Sequence, residues 1–167
     1  MPTPYVGCSE KLYLNDTAGL ASAGSGTYAA PDWNAIDLAQ DVTVSNERTQ
    51  IDASIRGGGC NRLFVGGLSD TTIEVQVLYD PADTQFNNLR QAYYDETDID
   101  VWAADFTEGV SGTTAAGVRM GCRIFSFSQP QPLDDLTVVN LTLKPSVNTL
   151  GTAGAQQNPE WHTETTA

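Results

Sequence analysis

The residue types that carry enzymatic chemistry are few in this chain and poorly spaced for it. His162 is the single histidine, and it follows a glycine-containing stretch near the C-terminus where a nucleophile–base geometry is difficult to hold. Cys8, Cys60 and Cys122 are far apart, contain no Cys-x-x-Cys pair and are odd in number, so they indicate neither a zinc site nor a disulfide framework. They fit small apolar side chains in a reducing compartment. We therefore expect no catalytic residue, no bound metal and no cofactor.

The acidic and glycine clusters have structural explanations. The acidic run Asp95–Asp100 has the wrong spacing for an EF-hand and lacks its glycine, so it indicates a solvated helix end and the entry to a strand. Gly57–Gly59 is not followed by the Gly-Lys-Ser/Thr of a phosphate-binding loop and indicates a turn. Asp80 and Asp83 fit a turn and a helix N-cap better than an acid–base pair.

The segment 71–102 changes its hydrophobic period twice, which is the clearest structural signal in the sequence. Apolar and polar residues alternate up to Tyr79, as in a half-buried strand, and a proline turn follows. Asp83 can then cap a helix that ends near Tyr94. A second strand is predicted over Ile99–Trp102. The predicted buried face of the helix consists of Phe86, Leu89 and Tyr93.

Short strands separated by turn signals make up the rest of the central region. The glycine-rich segments Gly57–Gly67 and Gly109–Gly117 are expected to be loops. These features predict a mainly β fold class: a β-sandwich or barrel-like domain with one flanking α-helix and extended N- and C-terminal arms. The predicted strands are Asp41–Ser45, Ile51–Arg56, Val118–Phe127 and Leu136–Lys144.

Both ends of the sequence are poor in large apolar residues and are predicted to be arms. We place an N-terminal arm at residues 1–30, the β-sandwich domain at 31–146 with its helix near 83–94, and a C-terminal tail at 147–167. Such arms have too little apolar surface to fold alone, so we expect their aromatic residues to dock on other subunits. The candidate subunit contacts are Tyr5, Tyr13, Tyr28 and Trp161, together with Arg56, Arg62 and Phe64 around the central glycine-rich segment.

The charge of the chain excludes several kinds of partner. Eight Lys and Arg residues stand against 21 Asp and Glu residues, which gives a net charge of -13. A field of this sign disfavours gripping nucleic acid, although nucleic acid can pass such a surface without sticking. No apolar run approaches the length that spans a bilayer, so we expect no membrane binding. The hydrophobic content of 40% is enough for the core of one domain.

The order of these segments carries a resemblance to a known family. In sequence they are Trp33, Ala39–Val44, Leu78–Pro81, Phe86–Leu89, Val101–Trp102, Ile124–Leu133 and Leu141–Ser146. This series resembles the major tail (tail tube) proteins of long, non-contractile-tailed bacteriophages. The similar region covers roughly residues 33–146, and it rests on the order of elements and on diffuse motifs.

The resemblance implies a structural virion protein and no enzyme. It implies a fold related to the type VI secretion tube, and hexameric rings that stack into a conduit through which DNA leaves the capsid without specific binding. The implied partners are further copies of the chain and, at the tube ends, tape-measure, tail-tip and terminator proteins. The implied location is the virion tail, and the host bacterial cytoplasm before assembly.

The lumen of such a tube is expected to carry negative charge. The candidate lumen residues are polar positions that alternate with apolar ones on two strands, namely Asp52, Ser54, Glu74 and Gln76. Two alternatives remain at this point. One is a receptor- or glycan-binding β-sandwich module of a fibre, baseplate or adhesin, and the other is an uncharacterised enzyme.

Overall fold

Strands dominate the structure, and one helix packs against them. A computed structural model describes residues 11–15, 33–54, 62–105, 114–131, 136–146 and 159–165. In chain order the elements are β1 (Lys11–Asn15), β2 (Trp33–Ala35), β3 (Ala39–Asp52), β4 (Phe64–Leu78), α1 (Thr84–Tyr94), β5 (Ile99–Ala104), β6 (Thr114–Ser128), β7 (Val138–Pro145) and β8 (Glu160–Thr165).

All eight strands belong to one antiparallel sheet. Seven of them follow the order β2-β1-β5-β6-β7-β4-β3, and β8 pairs with β6 outside this path. The sheet curls into a half-barrel. The mainly β prediction with one flanking helix is therefore confirmed, and its barrel-like form is a single curled sheet. β2 and β3 are the two ends of this path, and β8 has β6 as its one partner among the described strands.

The core lies on the concave face of the sheet and follows the two-residue period of the sequence. On β4 the side chains of Ile73, Val75 and Val77 are buried, and the polar residues between them are not. The paired strand β7 alternates in the same way. Full burial of such a side chain is worth about 1.5–3 kcal/mol, so the alternation fixes which face turns inward. The buried β7 residues are Val139, Leu141 and Leu143.

The helix α1 covers part of this core. The Asp83 carboxylate accepts a hydrogen bond of 2.6 Å from the Phe86 N–H, and Asp80 accepts one of 2.8 Å from the Ala82 N–H. Both residues therefore have the capping and turn roles predicted for them. Phe86 and Leu89 are buried as expected. No helix in the described part of the chain is long and apolar enough to cross a bilayer.

The prediction that residues 1–30 and 147–167 are arms without a core is wrong for the parts that the structure describes. β1 lies between β2 and β5, and its Leu12 and Leu14 are buried in the main core. β8 is also a strand of the sheet. Three consecutive large side chains, Leu12, Tyr13 and Leu14, supply enough apolar surface to hold β1 in place. Removal of residues 1–30 would thus take away the strand that pairs with both β2 and β5.

A second cluster joins β1, β2, β5, β6 and β8. The Trp102 ring lies 5.5 Å from Tyr13, 5.4 Å from Trp33 and 5.2 Å from His162, measured between ring centroids. His162 thus contacts aromatic core residues, which gives it a packing role. Trp102 is completely buried. The aromatic rings therefore attach the C-terminal strand β8 to the central strands.

A buried ion pair crosses the same region. The Arg119 guanidinium contacts the Asp100 carboxylate at 2.6 Å, and both residues are almost fully buried. The Asn15 amide donates to the same carboxylate at 3.1 Å, and Arg119 lies 4.9 Å from the Trp33 ring centroid. Asp100 had been assigned to a solvated strand entry, and this assignment is wrong for Asp100. A pair of this kind fixes the register of β1, β5 and β6, because a lone buried charge is costly.

The strand β6 holds β7 and β8 on one edge. β5 pairs with Gly117–Cys122, β7 with Cys122–Ser128, and β8 with Thr114–Arg119. The β6 residues that pair with β5 include Cys122, which also pairs with β7, and Gly117–Arg119, which also pair with β8. β7 and β8 therefore lie on the edge of β6 opposite to β5. Since both are antiparallel to β6, β8 continues the line of β7.

Three boundaries differ from the sequence prediction. The two strands expected at 41–45 and 51–56 are one strand, β3. Residues 64–67 of the expected central loop belong to β4, and residues 55–61 lie outside the described part of the chain. Residues 114–117 of the second expected loop belong to β6. The glycine and serine content of the two segments predicts loops. Pairing with neighbouring strands overrides this weak local preference, so parts of both segments are strands.

Gly117 should be essential for the approach of β5 to β6. A Cβ atom at this position would overlap the Ala103 carbonyl and lie 2.8 Å from the Ala104 Cα. We expect Gly117→Ala to lower the free energy of unfolding by about 3 kcal/mol. Gly66→Ala is the matched control, because its Cβ would meet only the flexible Arg48 side chain at 2.9 Å. Chemical denaturation measures both, and equal stability of the two variants would contradict this interpretation.

Candidate functional site

The convex face of the sheet is polar where β3, β4 and β7 lie side by side. The side chains on this face alternate with the buried core residues of the same strands. They are mostly amides and hydroxyls, with two carboxylates among them. Two rows cross the three strands in register: Asp41–Gln76–Asn140 and Thr43–Glu74–Thr142.

The four candidate lumen residues do not share a face. Glu74 and Gln76 belong to the polar rows and are exposed. Asp52 has the same parity on β3 as Val42 and Val44, which pack on the core. The register therefore places Asp52 on the opposite face of the β3–β4 pair from Glu74.

Asp52 and Ser54 have a local structural role near the end of β3. The Asp52 carboxylate accepts a hydrogen bond of 2.9 Å from the Ser54 N–H, and the Ser54 hydroxyl accepts one of 3.0 Å from the Leu63 N–H. Hydrogen bonds from the Ser54 hydroxyl and N–H lower the pKa of the Asp52 carboxyl. Both residues thus stabilise the ribbon formed by β3 and β4, as turn residues of these types commonly do.

That ribbon extends beyond the core. β7 pairs with β4 only from Ile73 to Leu78, whereas β3 pairs with β4 back to Phe64. No residue of Phe64–Asp70 is buried, and the same holds for Ser45–Asp52. We call residues 45–54 and 62–70 the hairpin. It is a two-stranded structure without a core of its own, and such ribbons are only marginally stable unless something packs on them.

One face of the hairpin is apolar. A bulge between Arg48 and Gln50 shifts the register, so that Ile51 pairs with Val65 and Asp52 with Phe64. Alternation then places Leu63, Val65 and Ile51 on the convex side, and Leu68 lies on that side before the bulge. Their exposed fractions are 48%, 56%, 56% and 85% in that order. The polar convex face therefore continues into an apolar surface at the hairpin.

The proposed subunit contacts fall into three groups. Tyr13 is only 3% exposed and packs on Trp102, so its assignment as a subunit contact is wrong. Arg62 and Phe64 are exposed on the hairpin. Trp161 is 69% exposed and borders a cavity of about 260 Å³ between β3 and β8, which Val42 and Val44 also line. Tyr5, Tyr28 and Arg56 lie outside the described residues.

The described side chains form no recognisable reaction centre. No group of three or more His, Cys, Asp and Glu side chains in the described ranges could hold a metal ion. Burial raises the pKa of the Cys122 thiol well above its ordinary value, and the nearby Asp100 and Asp98 carboxylates add to this rise. A neutral, buried thiol is a poor nucleophile. The Arg119–Asp100 pair is enclosed within the fold and is almost fully shielded from solvent.

Comparison with solved structures identifies the fold. A chain from the virion of a native gene transfer agent particle matches with a TM-score of 0.65 at 13% identity, over 95% of this chain and 99% of the other. The SPP1 tail tube matches with a TM-score of 0.67 at 13% identity, over 97% and 81% of the two chains. This chain has the tail tube fold. The resemblance inferred from the order of segments is thus confirmed for the fold.

A further tail structure has the same fold. The tail of an empty gene transfer agent particle, refined with C6 symmetry, matches with a TM-score of 0.63 at 17% identity, over 84% of this chain and 93% of the other. No protein-family model and no curated protein sequence matches the chain. These three solved neighbours come from virions or tails.

The residues of the hairpin surface were missed in the sequence because the glycines of segment 57–67 suggested a loop. Gly66 and Gly67 instead allow close packing in the strand pair: a Cβ at Gly67 would lie 3.2 Å from the Ile51 Cδ1. The two-residue spacing of Leu63 and Val65 indicates a strand, although a pattern of only two apolar residues is weak evidence.

The apolar residues of the hairpin should contribute little to the stability of a single subunit. Val65→Ala is expected to change the free energy of unfolding by less than about 0.5 kcal/mol, because Val65 is 56% exposed. Val75→Ala, the same substitution on the same strand, should cost about 2 kcal/mol or more, since Val75 is 1% exposed. Denaturant unfolding of dilute subunits measures both. A large loss for Val65→Ala would mean that the hairpin packs within its own subunit.

Proposed function

We propose that this chain is a structural virion protein that forms hexameric rings, and that the rings stack into a tail tube for DNA ejection. The observation that carries the proposal is the tail tube fold, shared over 97% of the chain with the SPP1 tail tube and over 84% with a tail refined with C6 symmetry. The core-less hairpin supports it, since a two-stranded ribbon is only marginally stable unless something packs on it.

Lateral assembly would cover the open sheet edges. β3 is a long edge strand of 14 residues, and its outer edge has no sheet partner among the described strands. An exposed strand edge of this length is a template for pairing with another chain. In a closed ring each subunit presents this edge to the next one, so ring formation removes the liability.

Axial assembly would cover the hairpin. Its apolar face includes Ile51, Leu63, Val65 and Leu68, and exposed apolar patches of this kind mark protein–protein contacts. Projection beyond the core gives the hairpin the reach to enter an adjacent ring. Arg62 and Phe64 are further contact residues in this proposal.

The lumen would be lined by the polar rows on β3, β4 and β7. Amides and hydroxyls there form a wettable wall, and Asp41 and Glu74 make it acidic. With a net charge of -13 per chain, phosphate groups are repelled and DNA slides without specific binding. Glu74 and Gln76 remain lumen candidates, whereas Asp52 and Ser54 on the opposite face do not.

The remaining partners follow from the same proposal. Terminator and tail-tip proteins would bind the two ends of the tube, and a tape-measure protein would occupy its lumen before DNA does. The protein would lie in the virion tail, and in the host bacterial cytoplasm before assembly.

The purified protein should form rings and tubes in a concentration-dependent manner. Electron microscopy and analytical ultracentrifugation of the wild-type chain measure this directly. Leu63→Ser/Val65→Ser should leave rings but no long tubes, because it removes apolar area from the axial contact and spares β3. A chain that stays monomeric at all concentrations, and that binds glycans or a cell surface, would instead support the fibre or adhesin alternative.

Lumen charge should control DNA ejection. Glu74→Lys in assembled tails is expected to slow ejection, because the introduced cations attract phosphate. The delay should grow as salt falls, since the screening length rises from about 10 Å at 0.1 M to about 30 Å at 0.01 M ionic strength.

Two controls make the lumen experiment specific. Glu74→Gln keeps the size of the side chain and adds no cation, so it should slow ejection much less than Glu74→Lys. Asp52→Lys, on the other face, should leave the salt dependence of ejection unchanged. If Asp52→Lys slows ejection at low salt and Glu74→Lys does not, the other face of the ribbon lines the lumen.

A further inference from the structure

Large exposed apolar side chains are concentrated at two opposite ends of the sheet. One group lies on the hairpin, where β4 begins. β4 has 15 residues and spans about 50 Å at about 3.4 Å per residue. The second group lies where β4 ends, and it consists of Tyr79, Tyr94 and Leu136, which are 38%, 70% and 67% exposed.

The second group forms a continuous surface with the ends of α1 and β6. The Tyr79 N–H donates to the Thr137 carbonyl at 2.9 Å, and Leu136 is the chain neighbour of Thr137. The Tyr94 ring lies 5.5 Å from the Tyr93 ring and 6.5 Å from the Phe127 ring, centroid to centroid. We call this surface, Tyr79, Tyr93, Tyr94, Phe127 and Leu136, the aromatic end.

The aromatic end is rigid enough to act as a docking surface. The Tyr79 ring meets the buried Phe86 ring edge-on at 5.3 Å, and the Tyr93 ring stacks on Phe127 at 5.4 Å. Rings that are held by their neighbours lose little further conformational entropy on binding. Tyrosine is enriched at interfaces because its apolar ring carries a polar hydroxyl.

We propose that the aromatic end of one subunit receives the apolar face of the hairpin of a second copy. This contact rests on the proposed tube, and it names the surface on which the hairpin of the next ring docks. Two different surfaces at opposite ends give a head-to-tail contact that repeats without closing. Stacking then continues in one direction, as a tube of indefinite length requires.

Charge favours head-to-tail stacking over contacts between like ends. Asp80, Asp83, Asp95 and Glu96 flank the aromatic end, with Arg90 as the single basic residue of α1. Arg48 and Arg62 on the hairpin stand beside three acidic residues, Glu47, Asp52 and Asp70, of which Asp70 pairs with Lys144 of β7 at 3.3 Å. Two aromatic ends facing each other would therefore bring carboxylates together, whereas the hairpin brings guanidinium groups to them.

A complementation experiment tests the direction of the contact. Tyr94→Ser removes the most exposed ring of the aromatic end, and Leu63→Ser/Val65→Ser removes the apolar face of the hairpin. Each variant alone should remain as single rings, with the critical concentration for tubes raised about tenfold or more. Each keeps one intact surface, so an equimolar mixture should form particles of two rings. Phe125→Ser is the matched control: Phe125 is 59% exposed, lies between the ends and should not affect tubes.

Charge reversal gives a second measurement that leaves the core untouched. Arg62→Glu should weaken stacking most at low salt, and Glu96→Lys in the same chain should restore it in part, since both residues are exposed. Tubes from Tyr94→Ser at the wild-type critical concentration, or a mixture that gains no mass, would overturn this contact and leave the tube proposal intact. Absence of tubes from the wild-type chain would overturn both.

Discussion

The long ladder between β3 and β4 is the constraint on which the rest of the structure depends. Backbone pairing runs from Val75 in the core to Phe64 at the exposed end, with one register shift between Arg48 and Gln50. Over the half near Val75, β7 and the core support it, and over the half near Phe64 no residue of either strand is buried. A ladder of backbone bonds keeps the ribbon extended, but it supplies no apolar contact. The hairpin of the subunit is therefore ordered by backbone hydrogen bonds, although its apolar side chains are not packed against a core.

A second consequence concerns the two faces of the sheet. Over β3, β4 and β7 the core lies on the concave face alone, whereas β1 and β5 are buried on both faces, since Tyr13 and Trp102 alternate with main-core residues. Every alternate residue must consequently face away, where Thr43, Gln76 and Thr142 meet solvent. A sheet with one dry and one wet face suits a wall between protein and an aqueous channel. The open β3 edge and the hairpin supply the means by which such walls join.

The buried Arg119–Asp100 pair shows how the chain ends become part of this wall. Asn15 of β1 completes the coordination of the carboxylate, and Trp33 of β2 covers the guanidinium. Without β1 the carboxylate would lose a donor in a buried site, which is costly. The same aromatic cluster receives His162 of β8. Hydrogen bonds to the buried carboxylate and aromatic packing thus hold β1, β2 and β8 on the central strands β5 and β6.

The sequence by itself determined the features that depend on local patterns. Alternation placed Ile73, Val75 and Val77 on one face, and Asp83 marked the start of α1, because a strand period and a helix cap are readable over a few residues. It also indicated the tail tube fold through the order of its segments, and the absence of a catalytic pattern.

Only the tertiary structure decided what depends on partners far apart in sequence. β1 is a strand because β2, β5 and the Arg119–Asp100 pair surround it, and none of these is a neighbour of Lys11–Asn15 in the chain. Asp52 and Glu74 were separated by the register of two strands, which a single strand cannot specify. The apolar hairpin and the aromatic end became visible only as exposed surfaces, since burial is a property of the folded sheet and not of the residues.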